Sequence, residues 1–293
     1  MEFRFLLRVE PLQSPRTNGG RQDGGKQLDT NRLNEEGRQL WNRKARFWDE
    51  LHGDRGNLFH RRLIEPSVLQ LLALQKGERV LDVGCGNGAL ARSLAEKGAM
   101  VSAVDFSEEM ILLAEGRSRR IASDIDYRIV DATDRDALLS LGAAHFDAVV
   151  CSMTLMDIPI VAPLFEAASE LLRYEGRFVF ATMHPAFNSN NPVFFQEKED
   201  RDGVVTTVTG VKIHAYDDLP PMKGSGAPGE PTPHYYYHRP LSTLLQEAFE
   251  AGFVLDGLLE PVFSPEDAEL GPDLSWTKIW QIPPVLTARL RLT

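Results

Sequence analysis

Val80-Leu81-Asp82-Val83-Gly84-Cys85-Gly86-Asn87-Gly88 is the stretch that decides the fold of this 293-residue chain. A short apolar run ends in a loop with glycine at every second position, and helical spacing resumes at Leu90 and Leu94. Glycine allows a tight turn and a close approach of backbone to a ligand, while a helix start offers free N–H groups. Such a loop can cradle a nucleotide. The dinucleotide fingerprint is G-x-G-x-x-G, whereas the spacing here is G-x-G-x-G, with Asp82 two residues before the first glycine. A carboxylate there is a poor neighbour for a pyrophosphate and a good one for an ammonium or sulfonium. The loop is expected to serve a cationic ligand.

Outward from this loop, strand and helix patterns alternate. ERVLDVG (78–84), MVSAVDF (100–106), IDYRIVDA (125–132), FDAVVCSM (146–153) and GRFVFATMH (176–184) read as strands. Between them GALARSLAEKGA (88–99), EEMILLAEGRS after the N-cap Ser107, ALLSL (137–141) and VAPLFEAASELLRY (161–174) read as helices. LSTLLQEAFEAG (241–252), FVLDGLLEP and IPPVLTARLRL (282–292) continue the pattern as helix, strand and strand. Alternation of this kind predicts an α/β domain with a doubly wound, mostly parallel sheet covered on both faces. Ligands of such sheets sit at the carboxyl ends of the strands.

The flanks differ in character. Residues 1–32 are expected to be a flexible leader, because their polar, glycine-rich part cannot offset its ordering entropy. Residues 33–76 are expected to form an N-terminal helical arm carrying Leu33, Leu40, Trp41, Phe47, Trp48 and Leu51, with a second helix after Pro66. The cofactor domain should comprise 77–185 and 240–293. Residues 186–239 then form an insertion: Pro185 to Pro240 hold eight of the 18 prolines and four of the six tyrosines. A hairpin turning at Gly210 is expected in 203–216, with loop over 220–233.

Composition narrows the function classes. The chain is 43% hydrophobic and 25% charged, an ordinary globular balance. A formal charge of −10 argues against nucleic acid as a partner. No apolar run approaches a membrane span, and Glu2, Arg4, Arg8 and Glu10 break the N-terminal one, so no signal peptide is read. Two cysteines, Cys85 and Cys151, make no disulfide framework, which places the protein in the cytoplasm by default. Both are expected to be small packing residues rather than nucleophiles.

Further site candidates lie at strand ends. Asp105 ends the second strand, where an acidic side chain can accept both hydroxyls of a ribose. Asp131, with Ala132 after it, follows the third strand and can accept from an exocyclic adenine amine, or simply cap a turn. Cys151-Ser152-Met153 end the fourth.

With these residues in place, the sequence resembles the class I S-adenosylmethionine-dependent methyltransferases, in the small-molecule branch that includes ubiquinone and menaquinone enzymes. LDVGCGNG, AVDFS, IVDA and FDAVVCSM are similar to that family's four motifs in order. The resemblance covers about 40–185 and 240–292. It implies a Rossmann-like seven-stranded sheet whose last strand is antiparallel, with S-adenosylmethionine as cofactor and S-adenosylhomocysteine as product. It also implies that Gly84, Cys85 and Gly86 face the methionine part and that Asp82 helps hold its amino group. Asp105 would take the ribose, Phe106 flank the adenine, Asp131 and Ala132 lie at its amine, and Cys151 contact the cofactor through its backbone.

Methyl transfer is an in-line displacement for which alignment can supply about 7–11 kcal/mol and a base about 10²–10⁴-fold. His184, directly after the fifth strand, is the candidate base or orienting group, or else a hydrogen-bonded wall residue. In PHYYYHRP (233–240), alternation pairs Tyr235 with Tyr237 on one face and sets Tyr236 on the other; Tyr235, Tyr237, His238 and Arg239 are candidate substrate contacts. Arg239 serves either an acidic substrate or Glu260. Trp48, a further candidate substrate contact, belongs to an arm that either closes over the cofactor or only packs on the domain. His234 and His238 are four apart, but flanking prolines disfavour a helix, so no metal is expected. The insertion is expected to be a substrate lid. The leading expectation is methyl transfer to a small-molecule acceptor; a non-catalytic or regulatory S-adenosylmethionine-binding protein is the alternative. A nicotinamide oxidoreductase is disfavoured by the glycine spacing and Asp82, and a DNA amino-methylating enzyme by CSMT after the fourth strand.

Overall fold

The computed structural model describes residues 29–121 and 124–292. The leader expected over 1–32 thus lies outside the described residues apart from its last four. Those four open a helix: the Asp29 carboxylate accepts from the Arg32 N–H at 3.0 Å and caps α1 (Thr30–His52). A π-helical turn, His60–Ile64, leads into α2 (Glu65–Leu72), whose first turn accommodates Pro66.

The alternating segment follows as β1 (Arg79–Val83), α3 (Ala89–Glu96), β2 (Met100–Asp105), α4 (Glu108–Arg120), β3 (Ile125–Ile129), α5 (Arg135–Leu139), β4 (Phe146–Ser152), α6 (Ala162–Leu171) and β5 (Leu172–Met183). The insertion carries β6 (Val193–Arg201), β7 (Val204–Lys212), β8 (Met222–Gly224) and β9 (His234–Tyr236); α7 (Leu241–Glu250), β10 (Phe253–Leu259) and β11 (Val285–Leu292) complete the chain. The main sheet runs β10-β11-β5-β4-β1-β2-β3. β1 pairs parallel with β2 and β4, and β11 pairs antiparallel with both β5 and β10. The Rossmann-like, doubly wound sheet with an antiparallel last strand is therefore the one expected.

Period-two alternation sorts the strand side chains into two cores. Leu81, Val149, Phe178 and Phe180 face α5, α6 and α7, while Val80, Val150, Val179 and Ala181 face α2, α3 and α4. Because both faces are covered, the free strand ends are the place left for a ligand, and the order reversal between β1 and β4 opens the crevice there.

Several boundaries differ from expectation. The helix expected over 161–174 ends at Leu171, and β5 begins at Leu172. The last strand begins at Val285, after the two prolines. The hairpin of the insertion is β6–β7 and turns at Asp202-Gly203, not at Gly210. Both turn residues have positive φ, 55° and 81°, which suits an Asp-Gly two-residue turn. Gly210 lies within β7, where an added Cβ would come within 2.8 Å of the Phe195 ring. Part of the expected 220–233 loop pairs instead as β8 with β9. Among the described residues no helix is long and apolar enough to cross a membrane.

The core over α6 and α7 is aromatic: Phe178 is fully buried, with ring centroids 5.4 Å from Phe165 and 6.1 Å from Phe253. Phe178→Ala should lower unfolding free energy by about 3–5 kcal/mol, because the sheet cannot collapse into the space left. Urea denaturation followed by circular dichroism measures this.

Candidate functional site

The β1–α3 loop is held from behind by its neighbour. The Gly84 and Cys85 N–H groups both donate to the Val104 carbonyl, at 2.8 and 3.0 Å. Gly84, Gly86 and Gly88 all have positive φ, the region that penalises other residues. Their surroundings differ. A Cβ on Gly84 would meet Thr154 Oγ1 at 2.1 Å and one on Gly88 would meet the Tyr127 hydroxyl at 2.3 Å, whereas at Gly86 nothing lies within 4 Å. Two of the glycines thus permit close packing, and Gly86 leaves open space at the cavity.

Asp105, at the end of β2, accepts from the Gly86 N–H through Oδ2 and from the Ser107 N–H through Oδ1, both at 2.9 Å. Each oxygen keeps a further lone pair for another donor. Asp82 is buried at the end of β1, and its Oδ2 has no hydrogen-bond partner among the described residues. Neither carboxylate has a salt-bridge partner among the described residues. Burial, reinforced by Asp105, pushes the Asp82 carboxyl up to about 7. Burial likewise pushes Asp105 up to about 6, although backbone donors from Ser107 and Gly86 oppose the shift. Two buried carboxylates without a cation of their own make a site for a positively charged ligand.

A cavity of about 200 Å³ opens above them, lined at this end by Asp82, Gly84, Cys85, Gly86, Asp105, Phe106 and Ala132. Asp131 is not in the lining. Its carboxylate is taken by Asn34 Nδ2 at 2.5 Å and by the Thr133 N–H and hydroxyl at 2.8 Å each, so it joins α1 to the β3 end. Cys151 also lies outside the lining, fully buried beneath it, while Ser152 and Met153 line the wall. Burial raises both thiols, Cys85 and Cys151, so neither is a thiolate.

The opposite end of the cavity is aromatic and comes from three separate segments. Trp41 and Trp48 project from α1, His52 and His60 from the helix end and the π-turn, and His234 and Tyr236 from β9. Trp48 is the one expected substrate-contact residue found in the lining.

The other four expected acceptor-side residues, and the candidate base, point elsewhere. Alternation along PHYYYHRP is as read, but the inward face is the opposite one: Tyr236 lines the cavity, while Tyr235 and Tyr237 pack on Leu33 and Leu40. The Tyr235 hydroxyl donates to Glu36 at 3.0 Å. His238 Nε2–H donates to the Tyr216 carbonyl at 2.6 Å and its Nδ1 accepts from Ser189 at 2.7 Å. Arg239 meets neither a substrate nor Glu260; its guanidinium donates to the Leu155 and Ile158 carbonyls, 2.8 Å each, and holds the loop after β4. His184 turns away from the cavity as well. Its Nδ1 accepts from the Ala186 N–H at 3.1 Å, so Nε2 carries the proton given to Glu260 at 2.7 Å. With both ring nitrogens committed, His184 has no nitrogen to offer the cavity.

One carboxylate organises the aromatic end. Glu230 Oε1 accepts from Lys44 Nζ at 2.8 Å, Trp48 Nε1 at 2.9 Å and His234 Nδ1 at 3.1 Å, and Oε2 accepts from the Gly226 N–H at 2.6 Å. Despite burial, the His234 and Lys44 contacts draw Glu230 down to about 2, so it is ionised. Burial lowers Lys44 to about 8. The same group ties the arm to the insertion. Further staples on α1 are Asn87 to Asp49 at 3.0 Å, Ser107 to Asn42 at 2.6 Å, and the Arg117–Asp49 ion pair.

Residues 74–217 match a family described as a methyltransferase domain. In fold and in this domain the chain is similar to the class I S-adenosylmethionine-dependent methyltransferases. Among curated relatives, a ubiquinone biosynthesis O-methyltransferase of Xylella fastidiosa is 34% identical over 138 residues, 47% of this chain and 54% of that protein. The protein of the same name from Xanthomonas axonopodis is 36% identical over 108 residues, 37% of this chain and 44% of that one. The aligned region spans about half the length of these relatives. A crystal structure titled as an S-adenosylmethionine-dependent methyltransferase from Mesorhizobium loti superimposes with a TM-score of 0.57 at 26% identity, over 77% of this chain and 96% of that one. The [4+2]-cyclase SpnF shares the fold, with a TM-score of 0.55 at 16% identity, over 89% and 96% of the two chains.

The raised carboxyls carry a sign that can be tested. Asp82 and Asp105 hold protons up to about 7 and about 6 in the free protein, and a cation needs them ionised. Binding of a sulfonium or ammonium ligand should release protons, and its affinity should weaken as pH falls through this window. The slope is about tenfold per pH unit for each proton released. Calorimetry with S-adenosylmethionine in buffers of different ionisation enthalpy reads both effects.

Proposed function

We propose that the protein transfers a methyl group from S-adenosylmethionine to a neutral, apolar small molecule. The observation that carries this is the uncompensated pair Asp82 and Asp105 beside the open Gly86 backbone, a site that suits a cationic nucleoside. When bound, the cofactor supplies a methyl group on a positive sulfur, whose departure needs no proton. The residues present fit it: Asp82 Oδ2 is free for the amino group, Asp105 keeps acceptor capacity for the ribose, and Phe106 and Ala132 offer an apolar seat for the adenine. Asp131, Cys85 and Cys151 would then act through the positions of their backbones.

The chain's own contribution is alignment and exclusion of water. Trp41, Trp48, Met156, Met183 and Tyr236 give the acceptor an apolar wall facing the carboxylate end. Holding an acceptor there can lower the barrier by about 7–11 kcal/mol without any protein nucleophile. A cavity that continues past the cofactor end favours catalysis over mere cofactor binding. The insertion 186–239 supplies Gly226, His234 and Tyr236 to that wall, which supports a lid role for it. The net charge of −10 and two unpaired cysteines accord with a small metabolite as acceptor in a reducing cytoplasm.

The direct test is calorimetric titration with S-adenosylmethionine, S-adenosylhomocysteine and NAD. The first two should bind, and Asp105→Ala should weaken both about 10–100-fold, the loss of charge-assisted hydrogen bonds. Tight NAD binding without S-adenosylmethionine binding overturns the reading.

A further inference from the structure

The hairpin of the insertion has work to do beyond the cavity wall. β6 and β7 form a separate two-stranded sheet, paired antiparallel from Val193 with Lys212 to Arg201 with Val204. Its base is anchored: Phe194 meets Trp276 edge-on at 5.1 Å between centroids, and Phe194 and Val211 adjoin the core that α2 and α3 cover. Beyond the base, residues 196–208 are exposed throughout. Val204 and Val205 are 62% and 63% exposed, and Val208 is exposed as well. A two-stranded ribbon without a third strand is marginal in water.

The two-residue turn at Asp202-Gly203 fixes which backbone groups are used. The pair closing such a turn, Arg201 with Val204, exchanges both its bonds, and the pattern alternates from there. Val204, Thr206, Val208 and Gly210 therefore face β6, while Val205, Thr207 and Thr209 turn their N–H and C=O groups outward. An unpaired row of this kind is a template for another strand. The two edges of the hairpin are guarded differently. β6 carries five consecutive charged side chains, Glu197 to Arg201, a common protection of a free edge. β7 carries none from Val204 to Val211, and every residue there except Gly210 is Val or Thr.

We propose that the β7 edge pairs with β7 of a second copy of this chain, antiparallel about a two-fold axis at Thr207, joining two hairpins into one four-stranded sheet. The interface goes beyond the methyl-transfer reading and does not depend on it. Charge and the unpaired groups set the register. With Thr207 opposite its own copy, Val205 stands opposite Thr209 and all three outward positions find backbone bonds. Lys212 at each base then stands opposite Asp202 at the other copy's turn; an axis at Val208 would set it opposite Val204 instead. Two chains of formal charge −10 repel as they approach. Residues 193–212 hold four acidic and three basic side chains, so contact here brings little net charge together. A two-fold contact closes on itself, and the charged β6 strands become the outer edges, which stops growth at two copies.

Sedimentation velocity of the full chain over a concentration series should show a reversible monomer–dimer equilibrium. Thr207→Pro removes one outward N–H, at the axis, a change an edge strand accepts. It should weaken dimerisation at least about 30-fold, since each copy loses a backbone bond there. Lys198→Pro makes the same change on the outer edge of β6 and should leave dimerisation as it is. Far-UV circular dichroism reports that both variants are folded. The register has its own readout. Thr207→Cys meets its own copy across the axis at about 5.5 Å between Cα atoms, within disulfide reach. It should crosslink under mild oxidation in preference to Val208→Cys; Cys85 and Cys151 are buried and do not compete. Should Thr207→Pro disturb the hairpin, the crosslink decides alone.

A chain that stays monomeric at every concentration, a dimer undiminished in folded Thr207→Pro, a loss that follows Lys198→Pro instead, a crosslink that favours Val208→Cys, or assembly beyond two copies overturns the proposal. So does a monomer whose binding to phosphatidylglycerol vesicles is lost in Thr207→Pro, which would give the strand to a membrane surface.

Discussion

Buried charge, and whether the chain balances it, divides the cavity into two halves with different chemistry. Asp82 and Asp105 are buried without a cationic partner among the described residues, and their proton affinity rises. Glu230 is buried too, but Lys44, Trp48, His234 and a backbone N–H surround it, and its proton affinity falls. The first arrangement is incomplete until a positive ligand arrives; the second is complete and serves as scaffold.

That contrast explains how three remote segments make one site. The arm, the loop after β4 and the end of the insertion have little secondary structure in common, yet each presents a polar group that the others satisfy. The Lys44–Glu230 pair is almost fully buried on both sides and joins residues 186 positions apart. Breaking such a pair leaves a bare charge in an apolar setting. The aromatic rings packed on it, with Trp41 3.7 Å from Lys44 Nζ, depend on the same contact. The sheet, by contrast, stands on its two apolar cores and needs none of this.

The carboxylate end was legible in the chain because local rules govern it. Asp82, Gly84, Gly86, Asp105 and Phe106 lie within one β-loop-α-β unit, where strand ends and loop spacing leave little freedom. The aromatic end was not. Alternation in Tyr235-Tyr236-Tyr237 correctly separates two faces, but only the docking of β9 against α1 decides which face is inward. His184 looked well placed because it follows a strand, yet Met183 takes the inward position. Glu230 carried no local signal, since a glutamate in a Gly-Pro loop reads as a surface residue.

Period-two and helical patterns, with a glycine loop between them, were enough by themselves to determine the doubly wound sheet, the strand ends as the place for a ligand, and its positive charge. These features depend on neighbours in sequence and on backbone sterics, which a chain carries wherever it goes. The tertiary structure decided which histidine lines the cavity, which tyrosine faces it, and which carboxylates are balanced. Those outcomes depend on which side chains meet in a low-dielectric space, Lys44 and Glu230 from 186 positions apart among them, where one hydrogen bond sets a tautomer and one missing cation shifts a pKa.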